Sequence, residues 1–388
     1  LDWQWRPTPE AYGKLLELAR RAAAQAPDRP RTWLNLANLL SDVGRDGEAA
    51  AALGEGVAHC PGDADLRLRS ARALRAVGDY EGALEQCERA LDLSPARDAA
   101  RLLRFVLLAK TSRWEAAERH VDEAAAIAPC EPYLFECLGA RLDRPGAPET
   151  LIARCDAALA LDPACANATY FKALALTKLG RADEARALLS VERDVEISEP
   201  GVPPGFASRG AFLAALAEEI RRHPTLAADP RGKSTERGRQ TGLLQDGDGP
   251  AIAAAIRLIR EAVAQVGRTA DGPPTPWASA RPAQARLNAW AVVCGPEGRQ
   301  QSHRHPDGWL SGVFYVAAPA AAPGGGFAGP LLLGALDEGE PEPPWSVRRI
   351  EPVPGRLVTF PSATPHATAP SCAAGERICV AFDVVPAA

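Results

Sequence analysis

At 388 residues, 46% hydrophobic and 24% charged, the chain has the composition of a soluble globular protein and the length of two or three domains. Its net charge of -5 gives no basic footprint, which argues against a nucleic-acid partner, and no apolar run reaches membrane-spanning length. The first residues (Leu1-Asp2-Trp3-Gln4-Trp5-Arg6) lack the charged-then-apolar pattern of a signal peptide, and nine scattered cysteines include no Cys-x-x-Cys pair, so free thiols in a cytoplasmic protein are expected.

From the N-terminus the sequence repeats. Pro27, Pro61, Pro95, Pro129 and Pro163 recur every 34 residues. Gly44 and Gly78 share that step, Ser112 takes the next position, and Gly146 and Gly180 resume it. Ala49, Ala83, Ala117 and Ala185 hold a third register, with Leu151 filling the gap. The glycines suit a turn that needs positive φ, the alanines let two helices approach closely, and the prolines stop the second helix of each pair. Such a helix–turn–helix buries its apolar face only against neighbouring copies. On these residues the first half resembles the tetratricopeptide repeat, as a leading helix near 9–26 and five repeats ending at 195. Phe105 and Leu151, in the places of small residues, mark the third and fourth repeats as degenerate. The resemblance implies an α-solenoid over 9–195 whose concave surface receives a peptide or partner protein. A scaffold that only packs on the rest of the chain is the other reading. His59 and His120, far in sequence from other ligand types, are read as packed or solvated.

Residues 196–209, with Pro200-Gly201-Val202-Pro203-Pro204-Gly205, read as a linker. An amphipathic helix is expected over 210–222, stopped by His223-Pro224, then a polar loop, then a second helix over 249–266 with Pro250 in its first turn. From Arg286 the period becomes strand-like. Candidate strands are 287–294, 299–305, 310–317, 330–333, 346–350, 357–360, 367–369 and 377–384, with turn signals at 295–298, 323–326, 354–355 and 374–375. This spacing suggests a sandwich or barrel. The Ala/Pro/Gly run 317–329 and the acidic segment 337–344 are expected to be mobile loops at its rim.

Chemistry concentrates in Gln301-Ser302-His303-Arg304-His305-Pro306-Asp307-Gly308-Trp309-Leu310. His303, His305 and Asp307 alternate, and alternate residues of an extended chain face one side. His366 follows a later strand and Arg377 begins the last one. Three protein ligands on one face leave positions open for a chelating co-substrate and oxygen, and an arginine can grip a carboxylate in two places.

Residues 302–316, Pro354-Gly355-Arg356-Leu357-Val358-Thr359-Phe360-Pro361-Ser362, His366 and Arg377-Ile378-Cys379-Val380-Ala381-Phe382-Asp383 together resemble the 2-oxoglutarate- and Fe(II)-dependent oxygenases that carry His-x-His-Pro followed by Trp-Leu-Ser-Gly-Val-Tyr-Tyr. Gln240-Thr241 and Trp290 fit the same likeness, which covers about 205–388. It implies a double-stranded β-helix (jelly-roll) domain over 210–388 with covering helices, so that the whole is an α + β multidomain chain. It implies Fe(II) and 2-oxoglutarate as cofactors, and hydroxylation of a substrate C–H bond using O2. The ligands are either His303, His305 and His366, which match the family's His-x-His and are preferred, or His305, Asp307 and His366. Arg377 is expected to hold the distal carboxylate of 2-oxoglutarate, with Tyr315 as a second candidate. Two departures stand out: Phe314 replaces a tyrosine, and Cys379 replaces the hydroxyl of an Arg-x-Ser pattern. A non-catalytic repeat scaffold with a degenerate barrel, and a cupin-like metal enzyme that does not use 2-oxoglutarate, are the alternatives.

Overall fold

At three of the five loop prolines of the repeats the carbonyl is filled in the same periodic way. A computed structural model of the chain describes residues 9–228, 234–267, 274–319, 329–336 and 343–387. It divides into two compact units, Leu1–Ala140 and Arg141–Ala388. The described part of the first unit is helical: α1 (Pro9–Gln25), α2 (Pro30–Asp42), α3 (Asp46–His59), α4 (Ala64–Ala76), α5 (Tyr80–Leu93), α6 (Asp98–Lys110), α7 (Trp114–Glu118), α8 (Val121–Ile127) and α9 (Pro132–Gly139). The carbonyls of Pro27, Pro61 and Pro95 accept side-chain N–H groups from Trp33, Arg67 and Arg101 at 2.9, 2.8 and 2.8 Å, each donor six residues on. Gly44 and Gly78 close the helix pairs at φ +74° and +85°, and Ser112, at the same register, is held in the left-handed region at +57°. Close approach is also real at Gly56, where a Cβ would sit 2.7 Å from the Trp33 ring. The third repeat is irregular as expected from its sequence. Its second helix is broken into α7 and α8 at Arg119-His120, and Phe105 is fully buried in a place built for a small residue.

The second unit begins with three more helices of the repeat pattern, α10 (Ala147–Leu161), α11 (Ala166–Lys178) and α12 (Ala182–Leu188). The boundary between compact units therefore falls inside the repeat array, ahead of the 196–209 segment read as a linker. Part of that segment is a strand, β1 (Glu196–Ser198). The elements that follow are α13 (Arg209–Arg221), β2 (Ala227–Ala228), β3 (Thr235–Gln240), α14 (Pro250–Gln265), α15 (Pro276–Ser279), β4 (Ala285–His303), β5 (Leu310–Ala317), β6 (Leu331–Leu333), β7 (Arg348–Ile350), β8 (Leu357–Pro361), β9 (His366–Thr368) and β10 (Arg377–Pro386). The strands form a curled antiparallel sheet in the order β1-β8-β5-β10-β4-β9-β6-β7, with β3 beside β4 and β2 beside β3. This is a jelly-roll arrangement. The rim segments expected at 317–329 and 337–344 lie mostly outside the described residues.

β4 turns the corner of the jelly roll. Its residues 285–294 pair with β10, while Gln300 and His303 pair with β9. The 295–298 stretch was expected to be a turn between two strands. It is instead a bulge within one strand, because β3 bridges it, with Glu236 opposite Arg299 and Gly238 opposite Cys294. β2 and β3 occupy what reads as a polar loop.

Strand alternation separates two faces. Ile378, Val380 and Phe382 of β10, Phe314 and Val316 of β5, and Ala289, Ala291 and Val293 of β4 pack under α13 and α14, against Phe212, Leu216, Ile220, Ile252, Ile256 and Ile259. Each such large side chain contributes about 1.5–3 kcal/mol by leaving water. The residues between them (Arg377, Cys379 and Ala381; Val313 and Tyr315; Trp290) line a cavity inside the roll. One face thus anchors the helices and the other carries the chemistry.

Candidate metal centre

The sheet register brings the histidines together. His303, the last residue of β4, lies opposite His366, the first of β9. Their rings are 4.2 Å apart, centroid to centroid. His305 lies two residues past the end of β4, and its Nε2 is 3.2 Å from Nε2 of His366. One nitrogen from each of His303, His305 and His366 lies within 4.8 Å of the other two.

Each ring is fixed through its other nitrogen. Nδ1 of His303 faces the Gln301 carbonyl at 2.8 Å, Nδ1 of His366 faces the Thr364 carbonyl at 3.1 Å, and Nδ1 of His305 faces Oδ2 of Asp383 at 2.8 Å. Carbonyl and carboxylate oxygens only accept, so each Nδ1 carries a proton and each Nε2 is turned away from these partners. The 3.2 Å between Nε2 of His305 and Nε2 of His366 is closed either by a shared proton or by a metal ion. Ligands about 2.1 Å from a shared metal at right angles would lie about 3.0 Å apart, so this spacing suits a divalent ion. Burial holds His303 down to about 4, helped by the repulsion a proton on His305 would exert, and burial followed by the repulsion of protons on His303 and His305 holds His366 well below its ordinary 6.5. Both are neutral at pH 7, the form that binds metal.

Asp383 belongs to a longer chain. Its Oδ1 accepts the Ser311 hydroxyl at 2.7 Å, and Ser311 lies 2.8 Å from the Ser362 hydroxyl. The sequence reading missed this carboxylate as a partner of the histidines. The signal was present: 377, 379, 381 and 383 share one face of β10, the face that lines the cavity.

Asp307, the other ligand candidate, is exposed and stands outside the histidine group. Arg377 is buried and lines the same cavity as the histidines. Its Nη1 donates to the carbonyls of Gly329 and Ala369 at 2.6 and 3.2 Å, and its Nη2 to the Thr368 hydroxyl at 2.9 Å. Among the described residues no carboxylate pairs with it. Glu376 is taken by Arg221 and Arg239, and Asp383 by His305. The guanidinium keeps Nε–H and one Nη2–H without a partner among the described residues. Tyr315 lines the cavity as well, its phenol pushed up by burial and so protonated. Burial pushes the Cys379 thiol up to about 12, which removes it as a thiolate ligand. Gln240 and Thr241 do not line the cavity. Thr241 caps the sheet instead, its hydroxyl accepting from Ala291 N at 2.9 Å. The cavity itself is small, about 30 Å³, room for about two waters.

A helical-repeat array joined to a jelly roll with a triple-histidine cavity defines the class of protein. Residues 30–73 and 74–134 match models of the tetratricopeptide repeat, and residues 288–383 match the family described as "Putative 2OG-Fe(II) oxygenase". The chain thus combines tetratricopeptide repeats with a domain of that oxygenase family. Among solved structures it is similar to YrrB, a TPR protein with an unusual peptide-binding site (18% identity over 45% of this chain and 93% of that one, TM-score 0.38). It is also similar to a Pseudomonas putida prolyl-4-hydroxylase (16% identity, 52% and 99%, TM-score 0.37) and to MamA from Desulfovibrio magneticus RS-1 (22% identity, 41% and 90%, TM-score 0.36). No curated protein matches the chain.

Proposed function

We propose that this chain is a 2-oxoglutarate- and Fe(II)-dependent oxygenase that hydroxylates a C–H bond of a peptide, protein or small-molecule substrate, with the repeats of 9–195 recruiting substrate or partner to the catalytic domain of 210–388. The observation that carries the proposal is the cavity shared by three tethered imidazoles and an arginine with no acidic partner among the described residues. His303, His305 and His366 would hold the metal through Nε2. All three ligands are neutral, so Asp383, behind His305, supplies compensating negative charge one bond removed. Arg377 would receive the distal carboxylate of 2-oxoglutarate on its spare N–H groups. Thr368 makes good the hydroxyl lost at Cys379: it already accepts from Arg377 and from Gln300 N, so its own proton is left to donate. Tyr315 adds a protonated phenol on the same wall.

When bound, iron with 2-oxoglutarate and O2 supplies an oxidative decarboxylation to succinate and carbon dioxide coupled to insertion of one oxygen atom into the substrate. The chain positions the reactants and keeps bulk water out. The nine cysteines are all free thiols, which agrees with a reducing, cytoplasmic setting. No described helix is long and apolar enough to cross a membrane.

Anaerobic addition of Fe(II) and 2-oxoglutarate tests the proposal through the visible charge-transfer band of the chelate. The band is expected with the wild type, absent in His366→Ala and weakened in Arg377→Ala. A folded wild type that gives no band refutes it and leaves a non-catalytic scaffold or an enzyme that does not use 2-oxoglutarate.

A further inference from the structure

The segment between the two neighbouring histidines poses a mechanical problem. β4 ends at His303 and the next strand begins at Leu310, so His305 stands where the ladder has stopped. One backbone bond, from His305 N to the Ser362 carbonyl, is long at 3.3 Å. A metal ligand two residues past the end of a strand needs another anchor.

Arg304 supplies one. On an extended chain it points away from the side shared by its two neighbours. There its guanidinium lies over the ring of Tyr170, 3.8 Å from the centroid, with Phe171 at 4.9 Å. Its Nη1 donates to Oδ1 of Asn167 at 2.9 Å. Asn167, Tyr170 and Phe171 all belong to α11, the first helix of the last repeat, and Asn167 is 2% exposed. Tyr170 is in turn backed by Trp345 at 6.4 Å, a fully buried ring whose Nε1 donates to the Gly334 carbonyl at 3.1 Å. The Tyr170 ring under the guanidinium is thus itself backed by a fixed ring.

We infer that Arg304, gripped by Asn167 and Tyr170, is a positioning residue that sets the two flanking histidines for metal binding, so that the last helical repeat is a working part of the metal centre. The inference rests on the metal-site reading above. The planar guanidinium matters because stacking and directional hydrogen bonding act at once and fix the rotation of the strand end, which a flexible ammonium would not.

The test is a Co(II) titration of the metal-free full-length protein, followed by the visible bands of the bound ion, with the thermal midpoint of each metal-free variant measured alongside. Tyr170→Phe keeps the aromatic face and is expected to bind Co(II) as the wild type does. Tyr170→Leu keeps bulk without the π face and Arg304→Met keeps the stem without the guanidinium; each is expected to weaken binding by about tenfold. Should either of these fail to fold, Asn167→Ala, which removes the hydrogen bond and leaves the stacked ring, is expected to weaken Co(II) binding by about threefold. Equal Co(II) affinity in Tyr170→Phe and Tyr170→Leu, or undiminished affinity in Arg304→Met, overturns the positioning role while leaving the metal centre intact. A wild type that binds no Co(II) overturns both.

Discussion

Asp383→Ala removes the carboxylate that orients His305. The side chains of His305 and Asp383 are 17% and 13% exposed and meet at 2.8 Å, so water screens their contact little. A hydrogen bond to a charged group in such a place contributes about 1.5–3 kcal/mol. Once it is lost, the His305 ring is free to turn and to exchange tautomers, and metal binding carries the cost. That corresponds to about 10–100-fold in affinity, the usual range for partners of ligating histidines. Asp383→Asn retains an acceptor of the same shape without the charge, and charged hydrogen bonds are about twice as strong as neutral ones, so a loss of about tenfold or less is expected. Competitive titration of Fe(II) under nitrogen, against a chelator of known affinity, measures both. The order wild type, Asp383→Asn, Asp383→Ala follows from the geometry. An Asp383→Ala protein that binds Fe(II) within about twofold of the wild type refutes the reasoning, because the carboxylate would then be a bystander.

Three other outcomes follow from different parts of the molecule. Ser112→Gly relieves a left-handed serine and should stabilise the first unit by about 1 kcal/mol, raising its melting midpoint by about 3 °C; an unchanged or lower midpoint contradicts the turn argument. Without metal, the protein should lose stability as pH falls from about 6.5 towards 4. His303 and His366 titrate lower when folded than when unfolded, so the unfolded chain takes up the protons first; a denaturation midpoint flat across that range would count against neutral buried imidazoles. Exposed Cys372 should react with a thiol reagent at pH 8 while Cys87, Cys155 and Cys379, all pushed up to about 12, wait for denaturant; peptide mass spectrometry reads this, and fast labelling at Cys379 would mean an open cavity.

Much of this architecture is legible in the chain because its signals are local or strictly periodic. Five prolines in one register are enough to mark helix pairs, and Ser112 falls in the register of the turn glycines, where the structure gives it a positive φ. Strands that alternate between a helix-covered face and a cavity face, such as β10, are equally plain. What escaped reading depends on contacts distant in sequence. The 295–298 stretch looks like a turn, and only pairing with β3 makes it a bulge. β3 itself, Thr-Glu-Arg-Gly-Arg-Gln, is too polar to read as a strand without β4 beside it. Within the site, the three histidines and Arg377 stand out by residue type. Asp383 does not stand out by type; 78 positions separate it from His305, and only its place on the cavity face of β10 with Arg377 and Cys379 points to it. Arg304 is not marked by its local sequence, because its partners Asn167 and Tyr170 lie far off on α11.

Iron-edge anomalous diffraction tests the central claim most directly, using crystals soaked without oxygen in Fe(II) and 2-oxoglutarate. The expected result is one iron peak at bonding distance, about 2.1 Å, from Nε2 of His303, His305 and His366, with the far carboxylate of 2-oxoglutarate on Arg377. A peak bonded to Asp307 in place of His303, or no peak in the cavity, would contradict it.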